Sequence, residues 1–516
     1  MQNSLHLSFL DWSILVVYVA VLGTIGWWTA RRTAKTTDDY FLANRSIPWL
    51  VTAASFIATC TSALSFVAIP SEGYTADYRY LLSNPGDILA VFFIGFVFLP
   101  HFQRLRVTSI YQAVAERFGS RARTICSGYF ILTRTLASTV RIVAIAKVLE
   151  VVTGGSLPYH YCVCIVITFI LAYTTIGGGR AIAWTDLLQF TLLMSGAVIG
   201  LVYIVHQVPG GVPAIVQAGS HAIAPDGSVY NKFNFLELFK PQNLWLLALM
   251  TVWGFVNSSA AYGVDQDMVQ RLLACNNPRK SSWSLVLTGL LGIPIAFLFL
   301  SIGVSLYAYA QVHPELVAGM TDPDHIFPRF IVTELPSGLR GLLLAAVASA
   351  AMGSADSALA SLSTAFTVDF YKPFFGSRSS EERTVLVSRF AFVGFGLLFL
   401  VFALCLKNLD NLLWLAFRLI SFTYGPLLGM FCVTIMTDWK LSPRKIMPLM
   451  LTPTLVTFGL AMLAWHMNGS SPFWTELHGT YWRFYIIFGA LFVPFGAWLW
   501  REKETLPAGA AESSAS

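Results

Sequence analysis

Apolar residues recur in this chain as long, nearly unbroken runs, without the one-sided stripe of a soluble amphipathic helix or the alternation of a half-buried strand. Thirteen runs fall at about 8–30, 48–69, 81–103, 124–152, 156–177, 181–206, 243–263, 284–310, 340–368, 386–406, 410–436, 446–466 and 482–500. A helix needs roughly 20 residues to cross a hydrocarbon core about 30 Å thick. The pattern therefore predicts an all-α polytopic membrane protein with 13 transmembrane helices in a lipid bilayer. The charge sits between the runs. Counting Lys and Arg, twenty-one fall in the loops on one side, from Arg31 to Lys503. Five (Arg79, Lys232, Lys240, Arg329 and Lys407) fall on the other. Cation-rich loops stay cytoplasmic, which predicts the N-terminus outside and the C-terminus in the cytoplasm.

Two spans look interrupted. In the second, small and hydroxyl residues run from Ala58 to Ser65; in the seventh, Asn257, Ser258, Ser259 and Gly263 do the same. They lie five spans apart, the spacing expected of two inverted five-helix halves, each with a broken first helix. Backbone that leaves the helix inside a membrane must line a cavity or coordinate something.

Polar chemistry concentrates in the ninth span, GLRGLLLAAVASAAMGSADSALASLSTAF, residues 338–366. Ala350, Gly353, Ser354 and Ser357 share one stripe of that helix, and Asp356 is an acid that needs a partner, water or an ion. In the sixth span Asp186 has two readings: an ion ligand facing Ser354 and Ser357, or a partner for Arg180. In the fourth, Arg134 and Arg141 share a face, suited either to a substrate carboxylate or to neutralising a buried acid. Lys147 and Glu150 read as a pair at the outer end. Asp87 and Arg418 have no evident partner.

Composition agrees with the pattern. The chain has 516 residues, 56% hydrophobic and 12% charged, with a mean hydropathy of +0.64, which excludes an ordinary soluble domain. The net charge of +6 reflects loop cations and is no nucleic-acid signal. The seven cysteines suggest neither a disulfide framework nor a metal knuckle, and the histidines lack transition-metal spacing. No nucleophile and base, and no phosphate loop, can be paired, so the expected protein is not an enzyme and does not use ATP. Residues 501–516 read as a disordered cytoplasmic tail.

At TTDDYFLANRSIPW, ATCTSALSFVAIP, RVTSIYQAVAERFG, GGGRAIAWTDLLQ, DQDMVQRLLA and SADSALASLSTAFTVDFY, in that order, the chain resembles the sodium/solute symporter family of glucose, proline and sialic acid carriers. The resemblance implies a LeuT-like fold in a single transporter domain. Residues 8–30 would form an extra first helix, 48–206 the first five-helix repeat, 243–436 its inverted partner, and 446–500 the last two helices. It implies one or two Na⁺ coupled to uptake of a small solute by alternating access, in a bacterial inner membrane. By position, the main sodium site would use carbonyls of Ala58, Thr61 and Ala350 with hydroxyls at 353 and 354. Ser354 is kept, whereas Gly353 lacks the hydroxyl. A second cation site, present in some members, falls on Asp186, Ser354, Asp356 and Ser357. Solute contacts fall on Ser62, Ser65, Tyr80, Asn84, Ser258 and Tyr262. An arginine that holds a carboxylate in acid-transporting members aligns with Ala137, between Arg134 and Arg141. The solute reading leans to a carboxylate, with sugar or polyol as alternatives. Proton coupling through Asp356 or Asp186 is the alternative mechanism, and a solute sensor or a channel the alternative class. Nothing in the sequence demands more than a monomer.

Overall fold

The computed structural model describes residues 7–30, 36–153, 155–224, 227–234, 240–241, 244–320, 322–375, 380–407, 412–468 and 481–501. The predicted tail beyond 501 lies outside the described residues. The first helices are α1 (Phe9–Ala30), α2 (Trp49–Cys60), α3 (Ala63–Thr75), α4 (Asn84–Phe93), α5 (Ser120–Val152) and α6 (Tyr159–Gln207). They are followed by α7 (Leu244–Gly263), α8 (Gln266–Leu273), α9 (Pro278–Val312) and α10 (Leu339–Ala365). The last are α11 (Glu381–Cys405), α12 (Leu412–Met436), α13 (Pro443–His466) and α14 (Phe484–Trp500). A short hairpin pairs Ala222–Ile223 with Val229–Tyr230 in the segment before α7.

Among the described residues, ten helices are long and apolar enough to cross a membrane, or eleven when the bent pair α2–α3 counts as one span. Tyr159–Ala172 and Phe484–Trp500 are shorter apolar helices. This is an integral membrane protein. The outer helices turn bare apolar side chains outward, as at Phe390, Leu397 and Val401 of α11 and Leu455 and Phe458 of α13. α10 is instead almost wholly enclosed. Small residues bring helices close, as membrane helix pairs require. A Cβ on Gly196 of α6 would lie 2.7 Å from Ala346 of α10, and one on Gly86 of α4 only 2.1 Å from the Thr251 carbonyl of α7. Gly178, with φ 59°, bends α6. A Cβ there would also meet the Tyr40 carbonyl at 2.7 Å, so glycine is needed twice over.

The first break falls where the run from Ala58 to Ser65 places it. Thr61 (ψ 79°) and Ser62 (ψ 175°) leave the helical region, and the flanking helices meet at 57°. The second does not fall at Asn257–Gly263. Those residues are helical, and α7 ends only after Gly263. Gly263 packs against Ile94, as Gly254 earlier on the helix does against the Ser83 backbone. The chain turns at Val264–Asp265, where Asp265 becomes the N-cap of α8 and accepts from the Asp267 amide. Tyr111 takes up the Val264 carbonyl at 2.9 Å.

Candidate functional site

The two breaks face a cavity of about 700 Å³. Ser62 and Ser65 line it from the first break, Arg134, Ala137 and Arg141 from α5, and Ser258 and Tyr262 from α7. Tyr80, Asp265, Tyr424, Arg79, Trp253 and Arg483 also line it. Seven of the eight solute-contact positions expected from the sequence thus meet in one space. Asn84 does not: it is buried at the start of α4, and its neighbours Ser83 and Asp87 line the cavity in its place. Asp87 has a partner after all, accepting from Ser258 at 2.5 Å.

The two arginines of α5 differ. Arg134 is buried and ion-paired through both terminal nitrogens, donating to Asp265 at 3.0 Å and to Asp267. Asp265 also accepts from Tyr424 at 2.6 Å. Arg141, two turns along the same face, lines the cavity, and its Nη1 meets no hydrogen-bond partner among the described residues. The sequence left charge neutralisation and solute capture as rival roles for both; Arg134 is the one paired with buried acids.

A chain of alternating charges continues inward from Arg134. Asp267 is shared with Arg271, whose Nη1 lies 2.6 Å from its carboxylate. Arg271 reaches Asp186 at 3.4 Å and Ser55 at 3.1 Å, and Ser55 donates to Asp186 at 2.5 Å. Burying such charges is tolerable because each is paired and hydrogen-bonded. Asp186 is therefore not the partner of Arg180. Arg180 is occupied by the Ala43 carbonyl (3.4 Å) and Ser46 (3.2 Å). Lys147 likewise pairs with Asp322 at 3.6 Å rather than with Glu150, and Arg418 stacks over Trp482.

The expected cation ligands lie where α2, α6 and α10 meet. Ser354 donates to the Ala350 carbonyl at 3.3 Å, and Ser357 donates to the Ser354 carbonyl at 3.2 Å, with Asp267 3.5 Å away. Asp356 is fully buried on the same helix, within electrostatic reach of Arg271. Asp186 Oδ1 has no hydrogen-bond partner among the described residues. Every donor in this set is oxygen, which suits a hard cation and not a transition metal. No cluster of three His, Cys, Asp or Glu side chains fit for a metal occurs among the described residues. Ser55, Gln189, Asp265, Asp267, Arg271 and Tyr424 are additions to the residues singled out in the sequence.

A model described as the sodium:solute symporter family matches residues 40–440. The sodium/sialic acid symporter SiaT of Proteus mirabilis (strain HI4320) is 29% identical over 441 residues, which cover 83% of this chain and 85% of that protein. The sodium/glucose cotransporter of Vibrio parahaemolyticus is 28% identical over 411 residues, 76% and 74% of the two chains. Among solved structures, a Na⁺-coupled sialic acid symporter in a substrate-bound outward-open state superposes with a TM-score of 0.79 at 24% identity. The match covers 95% of this chain and 97% of that one, and speaks for the fold.

Proposed function

The chain belongs to the sodium:solute symporter family, and we propose that its solute carries a carboxylate that Arg141 holds. It is a sodium-coupled solute symporter, not an enzyme. The observation that carries the carboxylate reading is the contrast on α5: Arg134 is ion-paired with Asp265 and Asp267, whereas Arg141 lines the cavity and makes no ion pair among the described residues. A guanidinium in a partly closed, low-dielectric space is a strong anchor for a carboxylate, and bidentate geometry makes it selective. Ser62, Ser65, Ser258, Tyr80 and Tyr262 would then hydrogen-bond the rest of the solute. Sialic acid, for which the Proteus relative is named, is a carboxylate and supports the lean.

Sodium would bind at Ala58, Thr61, Ala350 and Ser354, with a second ion at Asp186, Ser354, Asp356 and Ser357. An ion at the first site joins the broken α2–α3 to α10 and so favours the arrangement in which the solute cavity is assembled. The ten or eleven long spans with two shorter apolar helices support thirteen crossings in a 5+5 inverted repeat. The cation count of the loops supports an outside N-terminus, and the bacterial relatives support a bacterial inner membrane.

Thermal stabilisation of the purified protein by a solute panel, in NaCl or in choline chloride, tests the reading. Sialic acid, short monocarboxylates and glucose sample the choices. A carboxylate that stabilises wild type only with Na⁺, and no longer stabilises Arg141→Gln, is the expected result. Stabilisation by glucose alone, equal in the variant, would replace the carboxylate with a polyol.

A further inference from the structure

Among the described residues, eight Asp, Glu and Arg side chains line the solute cavity, and most of them answer one another. Arg79 pairs with Asp77 at 2.7 Å, and Arg134 with Asp265 at 3.0 Å. Glu72 and Arg483 lie within electrostatic reach of each other. That leaves Asp87 and Arg141. The acids that act on Arg141, Asp265 and Asp267, are already held by Arg134 and Arg271. Asp87 accepts from Ser258 at 2.5 Å through Oδ1, and no cation of the described residues acts on its carboxylate.

The two are not each other's partner. α4, which carries Asp87, packs against α7 and α9, whereas α5, which carries Arg141, packs against α6, α10 and α12. The cavity is therefore entered by an acid from one wall and by a guanidinium from another. Tyr80 and Tyr262 also line it, and both lie within electrostatic reach of Asp87. A carboxylate beside aromatic rings is a composition that holds an ammonium, by charge-assisted hydrogen bonds and by attraction to the ring faces. Ser258 takes Oδ1, which leaves Oδ2 for an N–H donor. A solute hydroxyl could donate there too, but it would leave the charge of an enclosed carboxylate uncompensated, and that is the costly state.

We propose that the solute is a zwitterion, with its carboxylate on Arg141 and its ammonium on Asp87 beside Tyr80 and Tyr262. The inference rests on the Arg141 reading above and adds a second pole to it. It narrows the solute from carboxylates in general to amino acids, and disfavours a simple monocarboxylate or a sugar acid.

The test is thermal stabilisation of the purified full chain in NaCl by matched probes. Alanine, β-alanine and γ-aminobutyrate are zwitterions whose poles stand progressively further apart. Butyrate is a carboxylate alone, choline a cation alone, and sialic acid a carboxylate with hydroxyls. In wild type at least one zwitterion should stabilise at a concentration roughly ten-fold or more below that of butyrate or sialic acid, because an unpaired buried charge is penalised by at least that much. Asp87→Asn keeps the shape and loses the charge. It should raise the half-stabilising concentration of that zwitterion by about ten-fold or more and leave butyrate unchanged, whereas Arg141→Gln should weaken both. Butyrate or sialic acid stabilising as well as every zwitterion would overturn the second pole and leave Arg141 standing. So would an Asp87→Asn variant that binds the zwitterion as wild type does. Choline stabilising wild type and Arg141→Gln alike, with no carboxylate active, would overturn the Arg141 reading as well, a distinct failure. Where Asp87→Asn fails to fold, the wild-type comparison of the zwitterions with butyrate decides.

Discussion

The chain leaves the helix twice at the centre of the molecule, and the two breaks are held in opposite ways. At Thr61–Ser62, between α2 and α3, no side chain is ionisable and the turn is made of small neutral residues. At Val264–Asp265, between α7 and α8, the turn is braced from all sides. Tyr111 binds its carbonyl, Arg134 and Tyr424 bind its acid, and Gln266 just beyond accepts from the Ile110 amide. The contrast follows from what each must do. A break whose carbonyls are to serve a cation is best kept clear of competing charges. A break that carries buried acids beside a solute cavity must supply each with a partner, because an uncompensated buried charge is far costlier than a paired one.

The brace should therefore be the more fragile of the two to single substitutions. Asp267→Asn strips a carboxylate shared by Arg134 and Arg271, and removing one partner of a buried pair costs about 3–5 kcal/mol. A sharply lower Tm and folded yield is the expected outcome in detergent. A Tm near that of wild type would mean that water reaches the second break and that the brace is not structural.

A smaller and more specific effect is expected one link along. Arg271→Gln leaves Asp267 paired with Arg134 but removes the guanidinium that sits 3.4 Å from Asp186. Asp186 would then be freer to serve a cation, and Na⁺ should stabilise the variant at roughly five-fold lower concentration, a coupling of ordinary size. A half-stabilising Na⁺ concentration equal to that of wild type would show that the charge chain and the second cation site do not communicate.

The two breaks were also unequally legible. The first announced itself because hydroxyl and small residues in an apolar run have little reason to be there. The second was looked for among Asn257–Gly263, where the same residue types sit in an unbroken helix that lines the cavity; spacing alone does not separate the two cases. Its real markers, Asp265 and Asp267, lie in the DQDMVQRLLA stretch, which the sequence used only as a mark of resemblance, since the chain's bend is what carries them in to Arg134. Arg180 looked like the partner of Asp186 because it is near in sequence, whereas Arg271 lies 85 residues away and arrives only through α8. Ser62, Ser65, Tyr80, Ser258 and Tyr262 were placed by family resemblance and do meet in the cavity. Gln189 gave no signal, as a neutral amide in an apolar span alters neither charge nor period.

The smallest expected effect concerns how the first broken helix is tethered, since it lacks the brace of the second. Lys232, fully buried in the segment before α7, donates to the carbonyls of Gly73 (3.3 Å), Tyr74 (2.7 Å) and Ala76 (2.8 Å) at the end of α3, and to the Tyr230 hydroxyl (2.9 Å). A cation at a helix C-terminus complements the dipole and caps free carbonyls. Burial nevertheless outweighs the nearby Asp77 and Glu72 and lowers the ammonium to about 8. The sign follows from linkage. Below about pH 8 folded and unfolded chains both hold the proton. Between about pH 8 and the ordinary lysine range near 10.4, the unfolded chain holds a proton that the folded chain has given up. Stability from this group therefore rises with pH across that window. The Tm of wild type, taken relative to Lys232→Gln at each pH, should climb by a few degrees from pH 8 to pH 10. A flat or falling difference would mean that the ammonium stays charged against the α3 carbonyls, and that the first break has a charged tether after all.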